Sequence, residues 1–96
     1  MSEPRPLPAA APESGDAPPE PDQTLDARDL RCPLPVLRAQ KTLRGMAPGQ
    51  VLEVVASDPA SVEDMRRFSA QGAAELVAQR TEGESLFRHW LRRRPG

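Results

Sequence analysis

Hydrophobic residues in this chain follow two periodicities, and both begin only after residue 22. Val36, Ala39, Leu43 and Met46 recur at spacings of three, four and three, one stripe of a helix facing a core. The spacing predicts a helix over Pro33 to Arg44, closed by Gly45, with Arg38, Lys41 and Arg44 off the stripe on a basic, exposed side. After the turn signal Pro48-Gly49, the run Val51-Leu52-Glu53-Val54-Val55-Ala56 is β-branched and mostly apolar, an interior strand. Asp58-Pro59 supplies an N-cap and a proline for the first helical position. The second helix is predicted to run to about Gln71, with Val62, Met65 and Phe68 inward, Glu63, Asp64, Arg66 and Arg67 outward, and Gly72 ending it. Thr24 to Ala27 makes a short strand, and Ala74 to Thr81 and Leu86 to Arg92 alternate as strands around a hairpin loop at Glu82-Gly83-Glu84.

The predicted order is β-α-β-α-β-β. Helical links between the first three strands favour right-handed crossovers and put both helices on one side of the sheet. The fold class is therefore α/β, a two-layer βαβαββ sandwich in which a mixed four-stranded sheet carries two helices on one face. About 70 residues bury such a core, though only marginally.

Composition separates this body, residues 23–93, from what precedes it. Residues 1–22 hold seven of the twelve prolines and five acids against one arginine, a charge of about −4, with almost no large apolar residue. Such a segment cannot bury enough surface to offset the entropy of ordering, so a disordered tail is expected. It has neither the basic start nor the apolar centre of a signal peptide. No later apolar run approaches the ~18 residues of a membrane span. The near-neutral total of −1 conceals a charge of about +3 over residues 23–96, with twelve Lys or Arg against nine Asp or Glu. That charge is compatible with an acidic partner, and equally with an ordinary solvated surface.

The single cysteine changes the picture most. Cys32 lies in Arg28-Asp29-Leu30-Arg31-Cys32-Pro33-Leu34-Pro35, where an extended segment turns into a helix. With Pro33 at the first helical position, Cys32 becomes the N-cap, facing unpaired amides and the positive end of the helix dipole. Arg28 and Arg31 stand close by, and Pro33 and Pro35 withhold two N–H donors from the sulfur. A thiol so placed is expected to have a lowered pKa and to stay nucleophilic. The ordinary alternative is a buried, inert cysteine, but the position lies at a helix start and not in an apolar stripe. One cysteine excludes an internal disulfide and a multi-cysteine zinc site, so no metal and no cofactor are expected. It also leaves no resolving thiol in the chain, so anything loaded on Cys32 must leave to a second molecule.

The run Leu25-Asp26-Ala27-Arg28-Asp29-Leu30-Arg31-Cys32-Pro33-Leu34-Pro35 closely resembles the TusA/SirA-like family of small sulfur-carrier proteins, whose mark is a strand followed by Cys-Pro-x-Pro at the first helix. The likeness continues through Met46-Ala47-Pro48-Gly49, Ser57-Asp58-Pro59-Ala60, Glu75-Leu76-Val77 and Phe87 to Arg93, and so covers residues 24–93. It implies a βαβαββ fold similar to the C-terminal domain of translation initiation factor three. It also implies that Cys32 accepts sulfane sulfur as a persulfide and passes it to another protein's cysteine, as in tRNA thiolation, molybdenum-cofactor assembly or sulfur metabolism. Only Cys32 is carried over as catalytic, with Arg28, Arg31, Pro33 and Pro35 shaping its site. The implied partners are a sulfur donor, either a cysteine desulfurase or a rhodanese, and a sulfur-acceptor protein. A cytoplasmic monomer with no direct nucleic-acid contact is expected, and Arg38, Lys41 and Arg44 are the candidate partner contacts. The chain departs from the family at Asp29, a position commonly Gly, where Asp tolerates positive φ but brings a negative charge that opposes a thiolate. Ser69 and Ala74 stand where relatives often have a second cysteine and a histidine.

Two rival readings remain. A Cys-His hydrolase would need His89, the only histidine, but His89 alternates with Phe87 and Leu91 and is expected to be half-buried in a strand. A non-catalytic protein- or RNA-binding regulatory module would use the basic helix face. With Phe68, Phe87 and Trp90 as its only aromatic residues, the chain offers no evident stacking platform for RNA, and Trp90 is expected to wedge against neighbouring strands.

Overall fold

Strand β1 (Gln23–Ala27) leads through a tight loop into helix α1 (Leu34–Arg44), strand β2 (Val51–Ala56), helix α2 (Ala60–Ala70) and the hairpin β3 (Ala74–Glu82) and β4 (Leu86–Arg93). The computed structural model describes residues 18–72 and 74–95. The strands lie in the order β1-β2-β4-β3. β1 runs parallel to β2, and β4 pairs antiparallel with both β2 and β3. Although α2 joins β2 to β3, the two are not neighbours, because β4 returns from the hairpin into the place between them. The mixed α/β sandwich expected from the sequence is the fold observed.

One sheet face and the two helices share a core. Leu52 and Val54 of β2 and Leu91 of β4 pack with Ala39 and Leu43 of α1 and Met65 and Phe68 of α2. Leu52, Met65 and Leu91 are fully buried, each removing apolar surface worth about 1.5–3 kcal/mol. The α1 stripe is as expected at Ala39, Leu43 and Met46, with Val36 at its edge. On α2 the stripe is rotated: Ser61, Met65 and Phe68 are buried, while Val62 is only half-buried.

The opposite face of the sheet closes on itself. Arg88 is held between Glu53 at 2.8 Å and Glu82 at 2.9 Å, and Arg92 pairs with Glu75 at 3.1 Å. Arg80 lies over the Trp90 ring, 5.6 Å from its centroid, and leaves Trp90 only 4% exposed. The expectation that Trp90 is wedged among strands holds.

Most of the expected tail lies outside the described residues. Within them, residues 18–21 take no regular structure. Asp22 already belongs to the body's hydrogen bonding: its amide donates to the Val51 carbonyl and its carboxylate accepts from the Val51 amide, both at 2.8 Å.

Candidate functional site

The thiol site is made by two loops, one after β1 and one after β2. Ala27 is buried and ends β1, and the Leu30 amide turns back to its carbonyl at 3.3 Å. Asp29 takes φ = 68°, the left-handed conformation that Asp tolerates better than most residues, and its amide donates to Ser57 Oγ at 2.8 Å. Asp58 fastens the loops together. One of its carboxylate oxygens accepts the Cys32 amide at 2.8 Å, and the other accepts the Ala60 amide at 3.0 Å and so caps α2. Ser57 and Asp58 also line, with Asp29, Leu30 and Arg31, an open groove of about 450 Å³ beside the cysteine.

Cys32 is exposed, but it is not the N-cap. The Leu34 amide bonds to the Arg31 carbonyl at 2.7 Å, and the first helical bond runs from the Leu37 amide to the Pro33 carbonyl at 3.1 Å. This tight turn before the helix moves the cap to Pro33 (φ −101°, ψ 19°) and Pro35 into the first turn, where a proline's missing N–H has no partner to lose. Cys32 therefore stands one position outside the cap, its amide occupied by Asp58. The Cys32–Pro33 peptide is cis.

The expected lowering of the thiol pKa is also corrected: its surroundings push it up. The first cause is the Asp64 carboxylate, followed by desolvation and the negative charge of Asp58. Arg67 is the cation that opposes them. Neither flanking arginine acts as expected. Arg28 turns back along the chain to Asp26, with both carboxylate oxygens at 2.8 Å, and this pairing holds the Asp26 carboxyl down at about 2. Arg31 acts on Asp58, whose carboxyl is held low first by the amides of Cys32 and Ala60 and then by this charge. Asp29, expected to oppose a thiolate, is not among the charges that raise the thiol; Asp58 and Asp64 take that role.

Asp64, expected to face outward, is turned inward. Its side chain is only 12% exposed. Oδ1 meets Arg67 at 3.4 Å, and Oδ2 is buried with no hydrogen-bond partner among the described residues. The signal lay in its spacing, since Asp64 stands three residues after Ser61 and four before Phe68, on the flank of the stripe that is in fact buried.

The remaining candidates are dispersed. Pro33 and Pro35 flank the thiol turn. Arg38, Lys41 and Arg44 are exposed along α1 and enter no ion pair among the described residues. They run beside two exposed large hydrophobics, Leu34 at 45% and Leu37 at 51%. His89 is fully buried, not half-buried. Its Nε2 meets Ser61 Oγ at 2.9 Å and its Nδ1 meets Gln79 Nε2 at 3.1 Å. Both ring nitrogens are engaged beneath α2, so no Cys-His pair forms. Among the described residues, no cluster of His, Cys, Asp and Glu is arranged to hold a metal ion, and no helix is long and apolar enough to cross a membrane.

Comparison with known proteins agrees with this geometry. The crystal structure of a SirA-like protein from Desulfitobacterium hafniense superposes with a TM-score of 0.66 at 20% identity, covering 76% of this chain and 99% of that one. Over 62 residues the chain is 55% identical to the sulfur carrier protein TusA of Allochromatium vinosum, spanning 65% of this chain and 82% of that protein. The family model for sulfurtransferase TusA matches residues 23–93, the whole of the sheet and both helices. An exposed cysteine before α1, on a βαβαββ frame that this model covers from end to end, makes the chain a member of the TusA sulfurtransferase family.

Proposed function

We propose that the chain performs its family's sulfur-carrier function through Cys32, which accepts a sulfane sulfur as a persulfide and passes it to a cysteine of an acceptor protein. The observation that carries this reading is an exposed thiol on a backbone fixed by Asp58, in a chain with no second cysteine to resolve it. Transfer between proteins needs one accessible nucleophile and little else, because the donor and acceptor supply the remaining chemistry. The donor is a cysteine desulfurase or a rhodanese, the acceptor a protein thiol, and the carrier a cytoplasmic monomer whose working unit is residues 23–93.

Leu34 and Leu37, with the unpaired Arg38, Lys41 and Arg44, form the face that meets those partners. An apolar patch ringed by free cations beside the thiol suits an acidic rim around a partner's cysteine. Direct RNA binding is disfavoured, because Phe68, Phe87 and Trp90 are all buried and cannot stack on bases.

The test is intact mass after incubation with a sulfane-sulfur donor: a desulfurase with cysteine, or a rhodanese with thiosulfate. The wild-type chain gains the mass of one sulfur atom and a reducing thiol removes it, while Cys32→Ser never acquires it. Loading that persists in Cys32→Ser would overturn the assignment.

A further inference from the structure

The end of the sheet remote from Cys32 carries a second groove, of about 300 Å³, walled by Pro48 and Gly49 of the α1–β2 turn, Glu75 of β3 and Arg92 to Pro95 at the end of β4. Backbone bonds join its two sides. The Gly49 amide donates to the Arg93 carbonyl at 2.8 Å, and the Arg93 amide to the Gln50 carbonyl at 2.9 Å. The charge of this groove is lopsided. Glu75 is already paired with Arg92 at 3.1 Å, whereas Arg93 and Arg94 enter no ion pair among the described residues. Three arginines against one carboxylate leave it positive, with Pro48 and Pro95 as apolar walls.

The chain's own amino-terminal segment arrives at this same end. Asp22 is hydrogen-bonded to Val51 through both its amide and its carboxylate, and Val51 lies opposite Arg92. Two strand spacings, about 10 Å, therefore separate Asp22 from the strand that carries the arginines. Upstream of that anchor, Pro12-Glu13-Ser14-Gly15-Asp16-Ala17-Pro18-Pro19-Glu20 contains acids and prolines and no Lys or Arg. Asp16 stands six residues before Asp22, and six extended residues span up to about 20 Å, so Asp16 and Glu20 both come within reach of Arg93 and Arg94. Pro18, Pro19 and Pro21 are half-buried, and Glu20 is exposed. A proline-rich segment loses less freedom on docking than an ordinary one, and the short tether gives it a high effective concentration at the groove. The other basic surface, with Arg38, Lys41 and Arg44, lies along a convex helix that leads away from this end toward the thiol.

We propose that the groove between the Pro48-Gly49 turn and Arg92–Pro95 is a docking site for the acidic, proline-rich segment 12–20 of the same chain, with Asp16 and Glu20 meeting Arg93 and Arg94. The contact is separate from sulfur carriage and does not depend on it. Docked there, the segment offsets the positive end of the sheet and keeps its own carboxylates off the α1 cations, leaving the thiol end open.

A nitroxide attached at Ser14→Cys in the full chain, with Cys32→Ser so that one thiol remains, tests the docking through the amide NMR signals it broadens. The same sample with the label reduced by ascorbate is the reference. At low salt the amides of Gly49, Glu75 and Arg94 should lose the most intensity, and those of Leu34 and Arg38, at the thiol end of α1, much less. In about 1 M salt, where the Debye length is about 3 Å, this selective loss should disappear. It should disappear equally in Glu13→Gln/Asp16→Asn/Glu20→Gln and in Arg93→Ala/Arg94→Ala. Should the arginine variant misfold, the salt series and the acid variant still decide. A maximum of broadening at Leu34 and Arg38, or broadening spread evenly over the chain, would overturn the proposal. So would groove broadening that survives both salt and removal of the acids. Equal broadening of isotope-labelled chains by separate spin-labelled ones would overturn it too, because the occupant would then be a second copy.

Discussion

Helix α2 carries a polar cluster on each of two flanks, and they are built to opposite rules. Beneath it, Ser61, His89 and Gln79 form a closed network. Gln79 Oε1 accepts from Arg66 at 3.2 Å and its amide nitrogen donates to the Val62 carbonyl at 3.0 Å, which fixes the amide orientation. The same nitrogen donates to His89 Nδ1, so Nε2 carries the proton and donates to Ser61 Oγ. At the other flank, Asp64 leaves a buried carboxylate oxygen unbonded, and Cys32 in the preceding loop is exposed. The closed cluster contributes stability and has no group free to react. The open one leaves a buried oxygen without a hydrogen bond and a sulfur exposed to solvent. A histidine and a cysteine in one small chain invite a catalytic pairing, but here the histidine belongs to the core and only the cysteine to the surface.

The contrast breaks most sharply at His89. His89→Ala removes a fully buried ring and strands two polar partners, and is expected to cost about 4 kcal/mol in a denaturant titration. Alkylation of Cys32 below the new melting temperature should be unchanged. Next in size is the acid response. Burial drives His89 from its ordinary 6.5 down to about 4. Between those values the unfolded chain binds a proton that the folded chain refuses. Stability is therefore full above pH 6.5 and falls as pH drops through the window, by about 3 kcal/mol at its lower end. Asp58, held below its ordinary value of 3.8, adds its loss only at lower pH. A melting temperature flat from pH 6.5 to 4 would show that His89 is not kept neutral. Smallest is Ser61→Ala, which leaves the Nε2 proton unpaired for about 1–3 kcal/mol and again spares the thiol. A change in thiol reactivity from Ser61→Ala would mean that the two flanks communicate.

Much of this was legible in the chain, and the failures are as local as the successes. The helix over Leu34–Arg44 and the strand Val51–Ala56 follow directly from their periodicities, and Asp-Pro and Pro-Gly mark the turns. On α2, Met65 and Phe68 face the core as their spacing predicts, and the departure is at one position, where a polar Ser61 is buried and Val62 only half-buried. Ser61 is buried because His89 on β4 needs a partner there, a pairing across 28 residues that no local pattern reveals. Exchanging Val62 for Ser61 shifts the centre of the stripe by only about 30° around the helix, toward the flank that carries Asp64. The helix start was misplaced for a different reason. Proline suits both the cap and the first turn, and only the bond from Leu34 to Arg31 decides between them. Arg28 was assigned to the thiol on proximity in sequence, yet Asp26 two residues earlier is the nearer claim on it.

Whether Cys32 is where sulfur is carried can be read out with cyanide, which removes sulfane sulfur from a persulfide as thiocyanate. After loading and separation from the donor, wild type should release one thiocyanate per chain and regain a free thiol, and Cys32→Ser should release none. Thiocyanate from Cys32→Ser, or none from a wild-type chain that had gained the mass of a sulfur atom, would contradict that assignment.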